Sequence, residues 1–378
     1  MAAVIVGYVR SPFTPAKKGG LARMRPDDIA SIVVRELIER TGIKPELIED
    51  VIVGCAFPEG EQGFNLARMI TFLSGLPNSV GGVTVNRFCG SSMQAIHDAT
   101  GRIAMGAGEA FICGGVESMT RIPMTGFNPM PNPRLVSDYP EAFTSMGITA
   151  ENLAEQRHIS RERQEEFAIE SHQKAARAQS SGSLASEIVT IHTDDGLVEI
   201  DGCIRADTGA DTLAGLRPAF DENGTVTAGT SSPLTDGVAF LLVCSEDFAN
   251  RNGLTPIARI LSTAISGCDP ELMGIGPVEA SRKALERAGL ELDDIDLIEL
   301  NEAFAAQSIA VIEELGLDVD KVNLDGGAIA LGHPLGASGA RITGKAAQLL
   351  HRNSAKTALV TMCIGGGQGI ATVLERVG

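Results

Sequence analysis

The chain has 378 residues, and 31 lysines and arginines against 48 aspartates and glutamates give a formal net charge of −17. That balance opposes nucleic-acid binding, which needs a basic footprint, and an aromatic content of 4% without tryptophan opposes base stacking. A hydrophobic fraction of 44% excludes disorder, and the length exceeds one comfortable core, so two or more domains are expected.

Residues 3–9 are an apolar run and read as a first strand. Pro26-Asp27-Asp28 opens a helix with Ile29, Val33 and Leu37 on one face, acids in its first turn and Gly42 at its end. Strands follow at 51–53 and 83–85, then a helix over about 90–105 and an apolar run at 110–115. Strands separated by helices imply crossovers and a mostly parallel, buried sheet. Residues 118–149 break the rhythm: Pro123, Pro129, Pro131, Pro133 and Pro140 sit among Met119, Met124, Phe127, Met130 and Phe143. A long irregular stretch with that content reads as a loop packed over something apolar.

A polar helical hairpin is expected over 149–180 and a mixed region to 235. A second alternating unit begins at 238–244. It continues with a helix at 277–288, opened by Pro277 and followed by Gly289. Next come a strand at 295–300, a helix from about Glu302, a strand at 322–324, a helix over 336–350, and strands at 357–362 and 369–374. The two units echo each other. Val85-Asn86 leads through a helix to Phe111-Ile-Cys-Gly-Gly115, and Val322-Asn323 leads through a helix to residues 359–363 and Gly365-Gly366.

No apolar run reaches the roughly 18 residues that span a bilayer. The first residues lack a signal peptide's basic region, and the last carry no Ser-Lys-Leu address. Seven cysteines without a CxxC pair fit reduced cytosolic thiols better than disulfides or zinc, so a cytoplasmic protein is expected.

Three positions attract chemistry. Cys89, in Val85-Asn-Arg-Phe-Cys89-Gly-Ser-Ser-Met-Gln94, lands where a strand turns into a helix, and N–H groups there favour a thiolate. A small buried cysteine capping a sheet is the competing reading. A free thiol near pKa ~8.5 needs about 2 kcal/mol to become half ionised at pH 7, and a helix end supplies about 0.3–1. A nucleophilic Cys89 therefore needs a second activator, most simply a histidine.

Of six histidines, His158, His172 and His192 fall in polar segments expected to be exposed, and His97 and His351 lie in helices. His333 differs, because Gly326-Gly-Ala-Ile-Ala-Leu-Gly-His333-Pro-Leu-Gly336-Ala-Ser-Gly339 leaves its backbone open to close approach. Cys363 ends a strand and precedes Ile364-Gly-Gly-Gly-Gln-Gly369, where a titratable thiol could sit beside exposed N–H groups. A structural thiol stays open there too. Gly339-Ala-Arg-Ile-Thr-Gly344-Lys345-Ala346 nearly matches a phosphate-binding loop, but Ala346 lacks the required hydroxyl and the segment lies within a helix.

Together these motifs resemble the thiolases, specifically the degradative 3-ketoacyl-CoA thiolases. The matching blocks are residues 85–94, Gly114-Gly-Val-Glu-Ser-Met119, Met146-Gly-Ile-Thr-Ala-Glu-Asn152, Val226-Thr-Ala-Gly-Thr-Ser-Ser232, Asn301-Glu-Ala-Phe304, 326–341 and 363–369, in family order. Gln62-Gly-Phe-Asn65 and the Cys-Gly-Ser-Ser-Met form resemble the fatty-acid β-oxidation branch. The resemblance implies an α/β fold with two similar halves in a five-layered α/β/α/β/α arrangement. The expected division is 1–118 plus 236–253, an inserted loop domain at 119–235, and 254–378.

It also implies roles. Cys89 is the nucleophile, His333 its activator and Cys363 the acid/base. Asn301 holds a water that forms one oxyanion site with His333, and the N–H groups of Cys89 and Gly365 form the other. Ser232, Ala303, Phe304 and Met146 line the pantetheine path, and Arg205 lies near the nucleotide end of coenzyme A. Coenzyme A is a co-substrate, with no resident cofactor or metal. A homodimer or dimer of dimers is implied, and a β-oxidation hydratase/dehydrogenase is a candidate partner. The family often carries a histidine where this chain has Ser145. The nearest rival, a decarboxylating ketoacyl synthase, would want His or Asn in place of Cys363. A silent acyl-CoA-binding scaffold would not need all three reactive side chains.

Overall fold

A computed structural model of the chain describes residues 1–378. Its strands are β1 (Ala3–Arg10), β2 (Thr14–Pro15), β3 (Asp50–Gly54), β4 (Gly81–Val85), β5 (Ala110–Ser118), β6 (Ile191–Thr193), β7 (Gly196–Val198), β8 (Thr235–Ser245), β9 (Ala258–Gly267), β10 (Leu297–Leu300), β11 (Thr357–Ile364) and β12 (Gln368–Arg376). One hydrogen-bonded path runs β10-β11-β12-β9-β1-β8-β5-β3-β4, with β2 on β8, and β6 and β7 pair separately. Its narrowest join is β1 with β9, where only Ala3, Val4 and Ile5 find partners.

On either side of that join lie two similar arrangements. In each, an outer pair is parallel (β3 with β5, β10 with β11) and the strands nearer the join are antiparallel. The expectation of a mostly parallel sheet is therefore corrected. Two antiparallel pairings need no helical crossover. β8 returns from the inserted segment, and β11–β12 is a hairpin whose Gly366 and Gly367 take positive φ.

Strand alternation builds the layers. In β8, Val238, Phe240, Leu242 and Cys244 face a core shared with the Pro26–Thr41 and Leu66–Leu73 helices. Ala239, Leu241 and Val243 face the opposite way, into a core containing Met93, Ile96, Ala337, Ala340 and Ile342. In β11, Ala358, Val360 and Met362 enter that same central core, while Leu359 faces a third with Val278 and Val311. The Ser91–Ala104 and Leu335–Arg352 helices thus lie between the two half-sheets, with one helical layer outside each. That is the expected α/β/α/β/α order.

Helix boundaries fall close to expectation: Ser91–Ala104 for 90–105, and Leu335–Arg352 for 336–350. The strand expected at 322–324 reduces to a single bridge between Val322 and Ile298. Asn323 replaces it with a side chain, accepting from Leu300 N–H at 2.9 Å and donating to Leu300 C=O at 2.8 Å. Between β5 and β8 the chain adds helices including Met146–Gln156 and Arg161–Ser180, and no strand of the large sheet except through β8 itself. Met119 and Ile122 are buried and Met146 packs against a buried cluster, but Met124, Phe127, Met130 and Phe143 are exposed, so the apolar packing expected for 118–149 holds at its two ends and not through its middle.

A buried ionic network ties the insertion to both halves. Arg10 of β1 meets Glu187 and Asp201, and Lys345 of the second central helix meets Glu187 and Asp325. Lys345 lies in mid-helix and Gly344 lies against the Tyr8 ring, so the phosphate-loop lookalike is a packing element. No helix is long and apolar enough to cross a membrane.

Candidate active site

The two central helices aim their first turns at one cavity. Cys89 precedes the Ser91–Ala104 helix, and His333 precedes Leu335–Arg352. Cys363 lies one residue from the end of β11. All three line a mostly apolar cavity of roughly 210 Å³, together with Met119, Met124, Ser145, Met146, Ser232, Phe220, Met273, Ala303, Phe304 and Leu335. Three distant stretches of sequence thus meet, as the motifs implied.

The Cys89 turn is built by its neighbours. Phe88 takes φ of 42°, and Asn86 Oδ1 accepts its N–H at 2.9 Å while Asn86 Nδ2 donates to Ala56 C=O at 2.9 Å. Ser91 Oγ accepts from Arg87 N–H and donates to Phe88 C=O. Gly90 fits because a Cβ there would come within 2.6 Å of Ile364.

Burial pushes the Cys89 thiol up to about 11; the N–H groups of Gly365 and Cys89 pull the other way, and the Glu117 carboxyl adds to the rise. The N–H groups favour the thiolate, as expected, and, also as expected, they are not enough by themselves. Dehydration costs more than one helix terminus returns. Cys363 is also pushed well above its usual range, first by burial, then by charge on Cys89 and Cys268. Both sulfurs rest as thiols.

His333 is 4% exposed, and burial, with the Arg341 charge, lowers it to about 3, so the ring is neutral. Ser338 Oγ donates to Pro334 C=O at 3.1 Å and lies 2.5 Å from His333 Nδ1. The hydroxyl proton being engaged, Ser338 accepts from Nδ1–H, and Nε2 is left as the basic nitrogen. Asn301 Nδ2 lies 3.4 Å from that Nε2, and Asn301 Oδ1 is buried without a protein partner. The His333 N–H donates to Thr235 Oγ1 at 3.1 Å.

Glu117, at the end of β5, joins the two sides. Its buried carboxylate accepts from Ala56 N–H at 2.8 Å, Gln62 Nε2 at 2.9 Å and, across the halves, Gly336 N–H at 2.9 Å. Burial raises its pKa in spite of these donors.

Ala303, Phe304 and Met146 pack in one apolar cluster with Cys363, and Ser232 N–H donates to Ala303 C=O at 3.0 Å. Gly365 lies nearby, where a Cβ would fall 3.3 Å from Met146 Sδ. Arg205 is not in this cavity. It is exposed and lines an adjacent small cleft that shares Ser231 and Pro233 with it. His172, expected to be exposed, is 6% exposed and accepts from Arg205 N–H. It faces inward from the Arg161–Ser180 helix, where a polar composition hid the buried stripe.

Sequence reasoning passed over Ser338 and gave Glu117 no role. Ser338 was visible in principle, since a residue in a helix's first turn can reach back to the loop before it. Glu117 offered no such signal, because its partners lie far apart in the chain.

Two half-molecules sharing a central helix pair, with two thiols and a neutral imidazole between them, define an acyl-transfer fold of the thiolase type. Residues 3–247 match the family described as "Thiolase, N-terminal domain" and residues 254–376 match "Thiolase, C-terminal domain". The chain belongs to the thiolase family. It is 51% identical to the 3-ketoacyl-CoA thiolase of Idiomarina loihiensis over 99% of both chains, and 48% identical to that of Bacillus subtilis over 99% of both. It is 50% identical to that of Pseudoalteromonas translucida, over 99% of this chain and 98% of the relative.

Proposed function

We propose that this protein is an acetyl-CoA C-acyltransferase, cleaving 3-ketoacyl-CoA with free coenzyme A into acetyl-CoA and an acyl-CoA two carbons shorter. The observation that carries the reading is the single apolar cavity lined by Cys89, His333 and Cys363. The full-length relatives named 3-ketoacyl-CoA thiolase support it.

In the first half-reaction the Cys89 sulfur attacks the 3-keto carbon as its proton passes to His333 Nε2. With the thiol near 11 and the imidazole near 3, transfer ahead of attack is steeply uphill, so the proton leaves as the S–C bond forms. The N–H groups of Cys89 and Gly365 receive the developing oxyanion. The C2–C3 bond breaks, and its electron pair becomes the enolate of acetyl-CoA, held beside protonated His333 and a water on Asn301. Cys363 gives that enolate its proton.

In the second half-reaction Cys363 takes the proton of an incoming CoA thiol. The CoA thiolate attacks acyl-Cys89, the shortened acyl-CoA departs, and Cys89 recovers its proton from His333. Ser232, Ala303, Phe304 and Met146 flank the pantetheine arm, and Arg205 offsets the −17 net charge for the nucleotide phosphates.

The activity divides as a nucleophile half (1–118 and 236–253), a covering loop domain (119–235) and an acid/base half (254–378). The further reading is a cytoplasmic homodimer or dimer of dimers serving fatty-acid β-oxidation, with a hydratase/dehydrogenase partner. Purified protein consumes acetoacetyl-CoA or a longer 3-ketoacyl-CoA only when free CoA is added. An equal loss of 3-ketoacyl-CoA absorbance without CoA refutes thiolysis.

A further inference from the structure

Two N–H groups favour the Cys89 sulfur as an anion, one from each half of the molecule: its own and that of Gly365. Their geometry therefore depends on how the nucleophile turn sits against the β11–β12 hairpin. One side chain joins those two loops directly. Arg87, two residues before the nucleophile, donates through Nη1 to Gln368 Oε1 at 2.7 Å. Gln368 closes the hairpin turn that begins at Gly365, pairing with Ile364. Arg87 Nε donates to Gln94 Oε1 at 2.8 Å, and Gln94 Nε2 donates to Asp98 Oδ1 at 2.6 Å. The guanidinium is thus fixed to the Ser91–Ala104 helix at one edge and to the opposite half at the other. Gly366 and Gly367 hold φ of 80° and 79°; Cys268 N–H, donating to Gly367 C=O at 2.8 Å, ties this turn to its own half, and the Arg87–Gln368 bond ties it to the nucleophile half.

We propose that Arg87 is a positioning residue that acts through Gln368 to aim the Gly365 N–H at the Cys89 sulfur. The inference rests on Cys89 as the nucleophile. Arg87 does not line the cavity, so its effect falls on the reacting sulfur and not on acyl-CoA contact. Its planar fork makes both bonds at once, which a lysine cannot reproduce.

The test is the pH dependence of Cys89 alkylation by iodoacetamide, followed by peptide mass spectrometry in wild type, Arg87→Leu, Arg87→Lys and Gln368→Ala. Glu117, His333 and Cys363, which share the surroundings of the sulfur, are unchanged in all four. Loss of the Gly365 donor moves the Cys89 midpoint upward by at least half a pH unit in Arg87→Leu and Gln368→Ala, with Arg87→Lys between them and wild type. Steady-state thiolysis shows kcat down about tenfold with KM within threefold in Arg87→Leu and Gln368→Ala, and a protein carrying both substitutions is no worse than the poorer single. A wild-type midpoint in both Arg87→Leu and Gln368→Ala overturns the proposal, as does a rise in KM that matches the fall in kcat. Gln368→Ala removes only a neutral acceptor, so it decides the matter if Arg87→Leu does not fold. A midpoint shift in a protein that cleaves no 3-ketoacyl-CoA keeps this inference and sinks the thiolase reading.

Discussion

The turn that carries Cys89 and the loop that carries His333 occupy matching places in the two halves, yet they are made differently. Both follow a Val-Asn pair, and in both the asparagine bonds the main chain of a neighbouring strand's end: Asn86 to Ala56, Asn323 to Leu300. On the Cys89 side five residues of β4 pair with β3, and the turn is short, with Phe88 at positive φ. On the His333 side a single bridge remains, and a longer glycine-containing loop with its own short helix, Ala328–Leu331, brings the ring inward. The difference assigns the chemistry. A tight turn holds a sulfur against two N–H groups, while the longer loop buries an imidazole deeply enough to keep it neutral.

Four substitutions probe that division of labour. The largest effect is expected from Cys89→Ala, which removes the sulfur proposed to carry the acyl group. Thiolysis falls by roughly 10⁴-fold or more, and mass spectrometry of protein mixed with substrate finds no acyl adduct. Next comes Cys363→Ala. Turnover falls by roughly 10²–10⁴-fold while Cys89 still acquires an acyl group, because the missing proton donor acts after attack. Full activity in this variant would remove Cys363 from the mechanism.

Ser338→Ala tests the His333 side alone. Losing the acceptor for Nδ1–H frees the tautomer and costs one hydrogen bond, so kcat falls up to about tenfold with little change in KM. A kcat equal to wild type would mean that Ser338 does not set the tautomer.

The smallest effect lies behind the site. Burial raises the Glu299 carboxyl to about 7, against the opposing charge of Arg341. Between the usual carboxylate range and pH 7 the folded state holds more protons there than the unfolded chain. This group's contribution is therefore complete at low pH and declines as pH rises through 7. Thermal melts of Glu299→Gln between pH 5 and 8 should lose that decline relative to wild type. Parallel pH profiles for the two proteins would contradict it.

Much of this was legible in the chain itself, for identifiable reasons. Helices such as Gly276–Ala288 announce themselves by a proline near the start and Gly289 in the left-handed region after the end, both local signals. Cys89, His333 and Cys363 stood out because each follows or precedes glycines at a junction between elements. Arg205, expected near the nucleotide end of coenzyme A, lines the cleft beside the cavity, and which of two adjoining clefts a loop side chain enters depends on the packing of Ser231 and Pro233 between them, which no local pattern displays. The strand at 322–324 failed because Asn323 satisfies Leu300 with its side chain, an alternative that a hydrophobic pattern does not display.

Local order of strand, turn and helix, and the residue types at each junction, belong to the sequence alone, because they depend on backbone preferences and period over a few neighbours. The protonation states of the two sulfurs and the imidazole, the N–H pair drawn from opposite halves, and the reach of Glu117 to Gly336 belong to the folded molecule. They depend on burial and on distances between residues far apart in the chain, and only closure of the two halves on their shared helices sets those.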